Sequence, residues 1–286
     1  MERMRIQNFS SIIDDYDYFI FDSDGTLLEF TQPIGDAIKI LKELRNQKKK
    51  IYVYSNNSKR SVEEMVIRYK NNGIDFKGEQ EIITSAYITS IYLQSLPGVK
   101  SVYLIGSIAF KDMLEKAGLR VAHWEEDVGN PMRLKEFGEL KTDDVDSVVV
   151  GGDNDYNFYK MCFGCLCIQN GAKFFVSDND PSFKCRGWEL PSSAFASYPL
   201  EVTTGVEPTV IGKPSPIGIE VLMKRDGIPE DKKGRMLMIG DSLKADIKLG
   251  LNSGIDTLLT LTGVSTEENL TASDVKPKYI IDKLIL

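Results

Sequence analysis

Nothing in the chain approaches the roughly 18 uninterrupted apolar residues that a membrane-spanning helix needs. The opening MERMRIQNFSSIIDDYDYF also lacks the apolar centre of a secretion signal. A cytoplasmic location without membrane attachment is the expectation, and the three N-x-[ST] matches at Asn8, Asn56 and Asn269 are then chance. Positive charge is scarce as well: 35 Lys and Arg face 42 Asp and Glu, a net charge of -7. The single basic run, Lys48–Lys50, reads as a solvated helix end, so a nucleic-acid backbone has little to hold. Cysteine is limited to Cys162, Cys165, Cys167 and Cys185. The first two have C-x-x-C spacing, but no second pair or nearby His completes a tetrahedral metal set, and the apolar surroundings favour buried thiols. Tandem repeats, heptads and low-complexity tracts are missing too.

What the 286 residues do contain is an alternation of short apolar runs with helix-length amphipathic segments, the pattern of a parallel sheet covered on both faces. YFIF is the first such strand. IGDAIKILKELRNQ follows, with Ile34, Ala37, Ile38, Leu41 and Leu44 at helical spacing. KIYVYS is a second strand, SVEEMVIRYKNNG a helix closed by Gly73, and EIIT a short strand. Late in the chain TVIGKP, a helix over Pro216–Arg225, RMLMIGDS and IDTLLTLTG continue the series. Between them, about Ala86–Leu200 holds its own strands and helices and is too long for a loop. The expected architecture is α/β: a Rossmann-like doubly wound core from residues 1–85 and 201–286, with an inserted α/β cap domain at 86–200.

Ligands of such sheets bind beyond the carboxyl ends of the strands. The first strand ends in DSDG, placing Asp22 and Asp24 within two residues of each other. Strand alternation would turn both to one side unless the turn at Gly25 redirects Asp24, and two carboxylates there repel unless a cation, a hydrogen bond or a shared proton relieves them. D-x-D-G is also a common turn composition. Three further strand ends carry complementary groups: Ser55, Asn56 and Asn57 after YVY, Lys213 after VIG, and Asp241 with Asp246 in MIGDSLKAD. Each has a plain alternative, as a helix cap or a surface charge. Four together at strand ends point to an anionic ligand with a cation.

DSDGT, YSNNS, IGKPSP and IGDSLKAD, in that order, resemble the four motifs of the haloacid dehalogenase (HAD) superfamily of phosphoryl-transfer enzymes. The segments GGDNDYNFYKMCFGCLCIQNGAKFFVSDND and TLLTLTGVSTEENL resemble its p-nitrophenylphosphatase and phosphoglycolate phosphatase branch, to which NagD belongs. The resemblance implies a phosphatase acting on a small phosphorylated metabolite, with Asp22 as nucleophile and Asp24 as general acid and base. It implies Mg²⁺ held by Asp22, the backbone carbonyl of Asp24, Asp241 and, at one remove, Asp246. Ser55, the Asn56 backbone and Asn57 would serve the phosphate, and Lys213 would balance charge and orient Asp22. Dehalogenases lack the second acid, so Asp24 favours phosphomonoester hydrolysis. The large insertion after the second motif fits the branch's cap, through which homodimers commonly form in that branch, and disfavours a sugar phosphomutase. A phosphoester-binding protein without turnover is the alternative.

The chain departs from the branch in three places. Asp178 stands where Asn is usual, ELPSSAF replaces a P-G-x-G segment, and Thr26 replaces Val. Within the cap loop at 182–190, Lys184, Arg186 and Trp188 are candidate contacts for an acidic or planar substrate. A mixed polar surface loop is the simpler account of them. His123, the only histidine, lies in VAHWEED inside the insertion and is expected to be structural.

Overall fold

The computed structural model describes residues 4–124, 140–185 and 187–286. The chain divides into two compact units, one formed by Met1–Ser55, Val62–Ile83 and Lys213–Leu286, the other by Asn56–Ser61 and Thr84–Gly212. Arg186 lies outside the described residues. Among the described residues no helix is long and apolar enough to cross a membrane.

The first unit is built on a seven-stranded sheet. Its strands are β1 (Met4–Arg5), β2 (Tyr18–Phe21), β5 (Lys50–Ser55), β6 (Ile82–Thr84), β14 (Met236–Gly240), β15 (Asp256–Thr260) and β16 (Tyr279–Ile281), in the order β1-β16-β15-β14-β2-β5-β6. β2 lies between β14 and β5, parallel to both. That position explains its composition: Phe19, Ile20 and Phe21 are all buried, because a central parallel strand is covered on both faces and has no polar side to alternate with. A small antiparallel hairpin, β3 (Leu28–Glu29) and β4 (Gln32–Pro33), follows β2. In helix α1 (Ala37–Asn46), Ala37, Ile40, Leu41 and Leu44 form the buried stripe at i, i+3, i+4 and i+7. Ile40 is on it and Ile38 only half so, a shift of the expected face by part of a turn. Helix α2 (Val62–Asn71) is followed by Gly73 at φ +76°, the left-handed conformation that ends helices and favours glycine.

The second unit carries a five-stranded parallel sheet of β7 (Ser101–Ile105), β8 (Arg120–Ala122), β9 (Ser147–Val150), β10 (Lys173–Val176) and β13 (Thr209–Val210), ordered β13-β10-β9-β7-β8. Its helices are α3 (Ser85–Ser95), α4 (Ile108–Lys116), α5 (Phe158–Gln169) and α6 (Ala194–Thr204), and β11 (Ser182–Cys185) with β12 (Trp188–Pro191) forms an antiparallel hairpin. The apolar core joins Tyr103, Ile105, Val148, Val150, Phe163 and Leu200. Cys165 and Cys167 are buried in it as free thiols. His123 packs edge-on against Phe163 and places Nε2 3.1 Å from the Asp144 carboxylate, contacts of a structural residue.

The unit's limits differ from the expected 86–200. Thr209 and Val210 pair with Phe175 and Val176, so the TVIG run completes this sheet instead of the larger one. Periodicity shows that a strand exists, whereas partner choice depends on contacts far apart in the chain. The Asn56–Ser61 segment belongs here as well.

One cause is a buried acid. Asp178 is 2% exposed and accepts hydrogen bonds from Ser58 Oγ (2.9 Å), Ser177 Oγ (3.0 Å) and Ser193 Oγ. Ser58 Oγ in turn accepts from the Gly152 amide at 2.7 Å. Burial, followed by the charge of Asp180, pushes the Asp178 carboxyl up to about 6, against the three hydroxyls that favour its ionised form. An unfolded chain releases this proton near 3.8, so between those values the folded state holds more protons and stability falls as pH rises. Asp178→Asn, nearly isosteric and neutral, is expected to lose that dependence. Its stability relative to the natural chain should improve by about 2 kcal/mol between pH 4 and pH 7. Urea denaturation of both proteins across that range checks this, and parallel pH profiles would show that Asp178 ionises freely.

Candidate active site

Register brings the acids of the first unit together. Phe21 pairs with Ile239, and the Asp22 amide donates to the Ile239 carbonyl at 2.8 Å, extending the β2–β14 ladder by one bond. Asp22 therefore leaves its strand opposite the end of β14, where Asp241 follows Gly240. Asp246 lies in the helical turn Leu243–Ile247 that comes next. Ligand oxygens of Asp22, Asp241 and Asp246 lie within 4.8 Å of one another, and all three residues are buried. Among the described residues this is the one such grouping of metal-ligating side chains.

Two glycines shape the cluster. A side chain on Gly240 would come within 2.2 Å of the Asp246 Cγ, and one on Gly263 within 1.9 Å of the Asp241 Oδ2. Their bare backbones let the carboxylates approach. Asp241 Oδ2 also accepts from the Val264 amide at 2.6 Å, and Asp246 Oδ2 from the Ser242 amide at 3.0 Å.

Lys213 supplies the cation. Its Nζ lies 2.5 Å from Asp22 Oδ1 and 2.7 Å from Asp246 Oδ1, 5.7 Å from the centre of the Tyr54 ring, with 4% of the side chain exposed. Burial opposes its charge, but Asp22 and Asp246 outweigh burial and hold the ammonium well above the usual lysine range. Asp22 is driven the other way. Burial, then the charges of Asp246 and Asp241, raise its carboxyl well above the usual aspartate range in spite of Lys213. Burial and Asp246 likewise push Asp241 up to about 6. One ammonium cannot balance three buried carboxylates, so the cluster has an unmet demand for positive charge. A divalent cation fits that demand, and an all-oxygen donor set suits a hard ion such as Mg²⁺.

Ser55 closes β5, the strand beside β2, and is buried. Asn56 and Asn57, expected to serve the same ligand, fall in the second unit with their side chains engaged there. The Asn56 amide donates to Asp180 Oδ2 at 3.1 Å, and Asn57 Oδ1 accepts from the amides of Lys59 and Arg60 at 3.1 and 3.0 Å.

Asp24 lies past the end of its strand, which stops at Phe21, and precedes Gly25 at φ +87°, so alternation does not fix its direction. Its side chain is 60% exposed and forms a two-pronged ion pair with Arg68 of α2, in which Nη1 donates to Oδ2 at 3.1 Å and Nη2 to Oδ1. Ser23 is buried and accepts from Tyr69 Oη at 2.7 Å. Sequence reasoning did not single out Arg68 or Gly263: neither stands in a strand-end motif, and a lone Arg in an amphipathic helix carries no local signal.

Two family profiles match the chain, "Haloacid dehalogenase-like hydrolase" over residues 19–120 and "HAD-hydrolase-like" over 210–285. A 4-nitrophenylphosphatase of Schizosaccharomyces pombe is 31% identical over 97% of this chain and 95% of its own. Phosphoglycolate phosphatase 2 of Arabidopsis thaliana is 31% identical over 95% and 92%. Among solved structures, a 4-nitrophenylphosphatase from Thermotoga maritima superposes with a TM-score of 0.82 at 26% identity, covering 95% of this chain and 96% of that one. Motif order, fold and full-length similarity agree that the chain belongs to the haloacid dehalogenase-like hydrolases, in their 4-nitrophenylphosphatase and phosphoglycolate phosphatase branch.

Proposed function

We propose that the chain hydrolyses small phosphomonoesters with Mg²⁺ through an aspartyl-phosphate intermediate on Asp22. The observation that carries this reading is the buried grouping of Asp22, Asp241 and Asp246 around Lys213, an anion cluster short of positive charge at the ends of adjacent strands. Asp22, Asp241 and Asp246, with the backbone carbonyl of Asp24, are the groups that would hold the metal. When bound, the ion supplies charge neutralisation for a phosphoryl group meeting a carboxylate.

In the first step an Asp22 oxygen forms a bond to phosphorus as the ester P–O bond breaks, and the departing oxygen takes a proton from the Asp24 carboxyl. In the second, water attacks the phosphoryl group, gives its proton to Asp24, and Asp22 leaves as the free carboxylate. Lys213 keeps Asp22 aimed and favours its ionised form, while the Ser55 hydroxyl offers a donor to a phosphate oxygen. Both steps depend on holding like charges together, which positioning and fixed cations accomplish in phosphoryl transfer.

Turnover of p-nitrophenyl phosphate is expected with millimolar Mg²⁺ and to disappear in EDTA, returning when metal is restored. Because the ligands must be ionised, Mg²⁺ binding measured by calorimetry should weaken as pH falls through about 6, where Asp241 takes up a proton in the metal-free protein. Full activity in EDTA would exclude the metal-dependent mechanism. Metal-dependent binding of phosphate with no release from any ester would instead favour a non-catalytic binding protein.

A further inference from the structure

Near the β2 end a second cation, Arg68, lies outside the Lys213 cluster and is largely buried. Arg68 has 17% of its side chain exposed, although it sits on a helix whose outer face is solvated. Every hydrogen bond its guanidinium makes here goes to residues just after β2: both oxygens of Asp24, the Phe30 carbonyl (3.1 Å from Nη2) and Ser23 Oγ (3.3 Å from Nη1). Phe30 lies at the tip of the β3–β4 hairpin with φ +54°, a conformation uncommon outside glycine. One planar fork thus fixes both the carboxylate and the turn of the hairpin that follows it.

An exposed carboxylate without such a partner turns among rotamers in water, and a proton-transfer group must instead be held within hydrogen-bond reach of its target. The fork is suited to that task. A guanidinium presents parallel N–H groups that match both carboxylate oxygens and set the plane of the group, which a lysine cannot do. A carboxylate has about four lone-pair sites, so two bonds to Arg68 leave it able to take and return a proton.

We propose that Arg68 is a positioning residue for proton transfer by Asp24, setting the carboxyl plane and the adjoining hairpin while touching no reacting atom. The inference rests on the phosphatase reading above. It makes the need for Arg68 in the first step depend on the leaving group, since an alkoxide must be protonated as it departs whereas p-nitrophenoxide departs largely without help; in the second step the need is the same for every ester.

The test compares Mg²⁺-loaded full-length protein on p-nitrophenyl phosphate and on an alkyl phosphate. In rapid-quench measurements Arg68→Met is expected to slow phosphoryl transfer to Asp22 from the alkyl ester about 10-fold or more and from p-nitrophenyl phosphate by no more than about 3-fold, while hydrolysis of the aspartyl phosphate, the same step for both, slows equally. Arg68→Lys, which keeps the charge and loses the fork, should recover part of the loss. In an Asp24→Asn background Arg68→Met should cost nothing further on either ester. Equal losses in the phosphoryl-transfer step from both esters, no loss from either, or a loss that persists without the Asp24 carboxylate would overturn the inference while leaving the phosphatase reading intact. A natural chain that cleaves neither ester overturns both. If Arg68→Met does not fold, the ratio of the two phosphoryl-transfer rates in Arg68→Lys decides: an unchanged ratio rejects the role.

Discussion

Asp22→Asn is expected to reduce phosphate release by about 10⁴-fold or more, since the amide cannot form the covalent ester and the remaining groups supply only binding and charge. The protein should still fold. Asn nearly matches Asp in shape, Lys213 keeps Asp246 as a partner, and removing one of three crowded negative charges relieves repulsion. The thermal midpoint of the variant should therefore equal or exceed that of the natural chain, separating lost chemistry from lost structure. Rapid acid quench of the natural protein during turnover, followed by peptide mass spectrometry, should find a phosphoryl group on Asp22 and none in the variant. An Asn variant within 10-fold of the natural rate would remove Asp22 from the nucleophile's role.

Lys213→Met is expected to have the largest effect on stability. The ammonium is buried against Asp22 and Asp246, and its loss leaves three carboxylates in a space that water scarcely reaches. Breaking a buried pair from one side costs about 3–5 kcal/mol. The sign of the pH dependence follows from the same residues. Asp22 and Asp241 already hold protons more tightly than an unfolded aspartate, and without Lys213 they hold them more tightly still. On acidification the folded variant takes up protons that the unfolded chain does not, so its deficit should shrink from pH 8 to pH 5. Millimolar Mg²⁺ should recover part of the loss at pH 8 by replacing the missing charge. Denaturation midpoints in both buffers measure this. A variant as stable as the natural chain at pH 8 would mean that Lys213 does not balance the acids.

The two variants probe different halves of one electrostatic problem. The cluster holds too little positive charge to balance its three carboxylates, and in the proposed cycle a bound metal would make up the difference and offset the incoming phosphate as well. Lys213 limits the repulsion while the site waits.

Much of this was legible in the residues because the elements involved are governed by local pattern. YFIF and MLMIG, apolar throughout, could only be strands covered on both faces, and a polar group placed directly after such a strand must emerge at the sheet's carboxyl edge. Asp22 and Asp241 were readable for that reason, as were the helices on either side. The direction of Asp24 was not. It sits after the strand has ended, beside a glycine in a left-handed conformation, where alternation no longer dictates which way a side chain points. Its partner comes from a helix 44 residues later in the chain. Nor could periodicity say which sheet Thr209 and Val210 would join, or that the Asn56–Ser61 segment would be tied to Asp178 by Ser58. Strand identity is a property of a few consecutive residues and their burial; pairing, ion-pair choice and the final aim of a side chain are competitions among distant groups, settled when the folded chain brings them within a few ångströms.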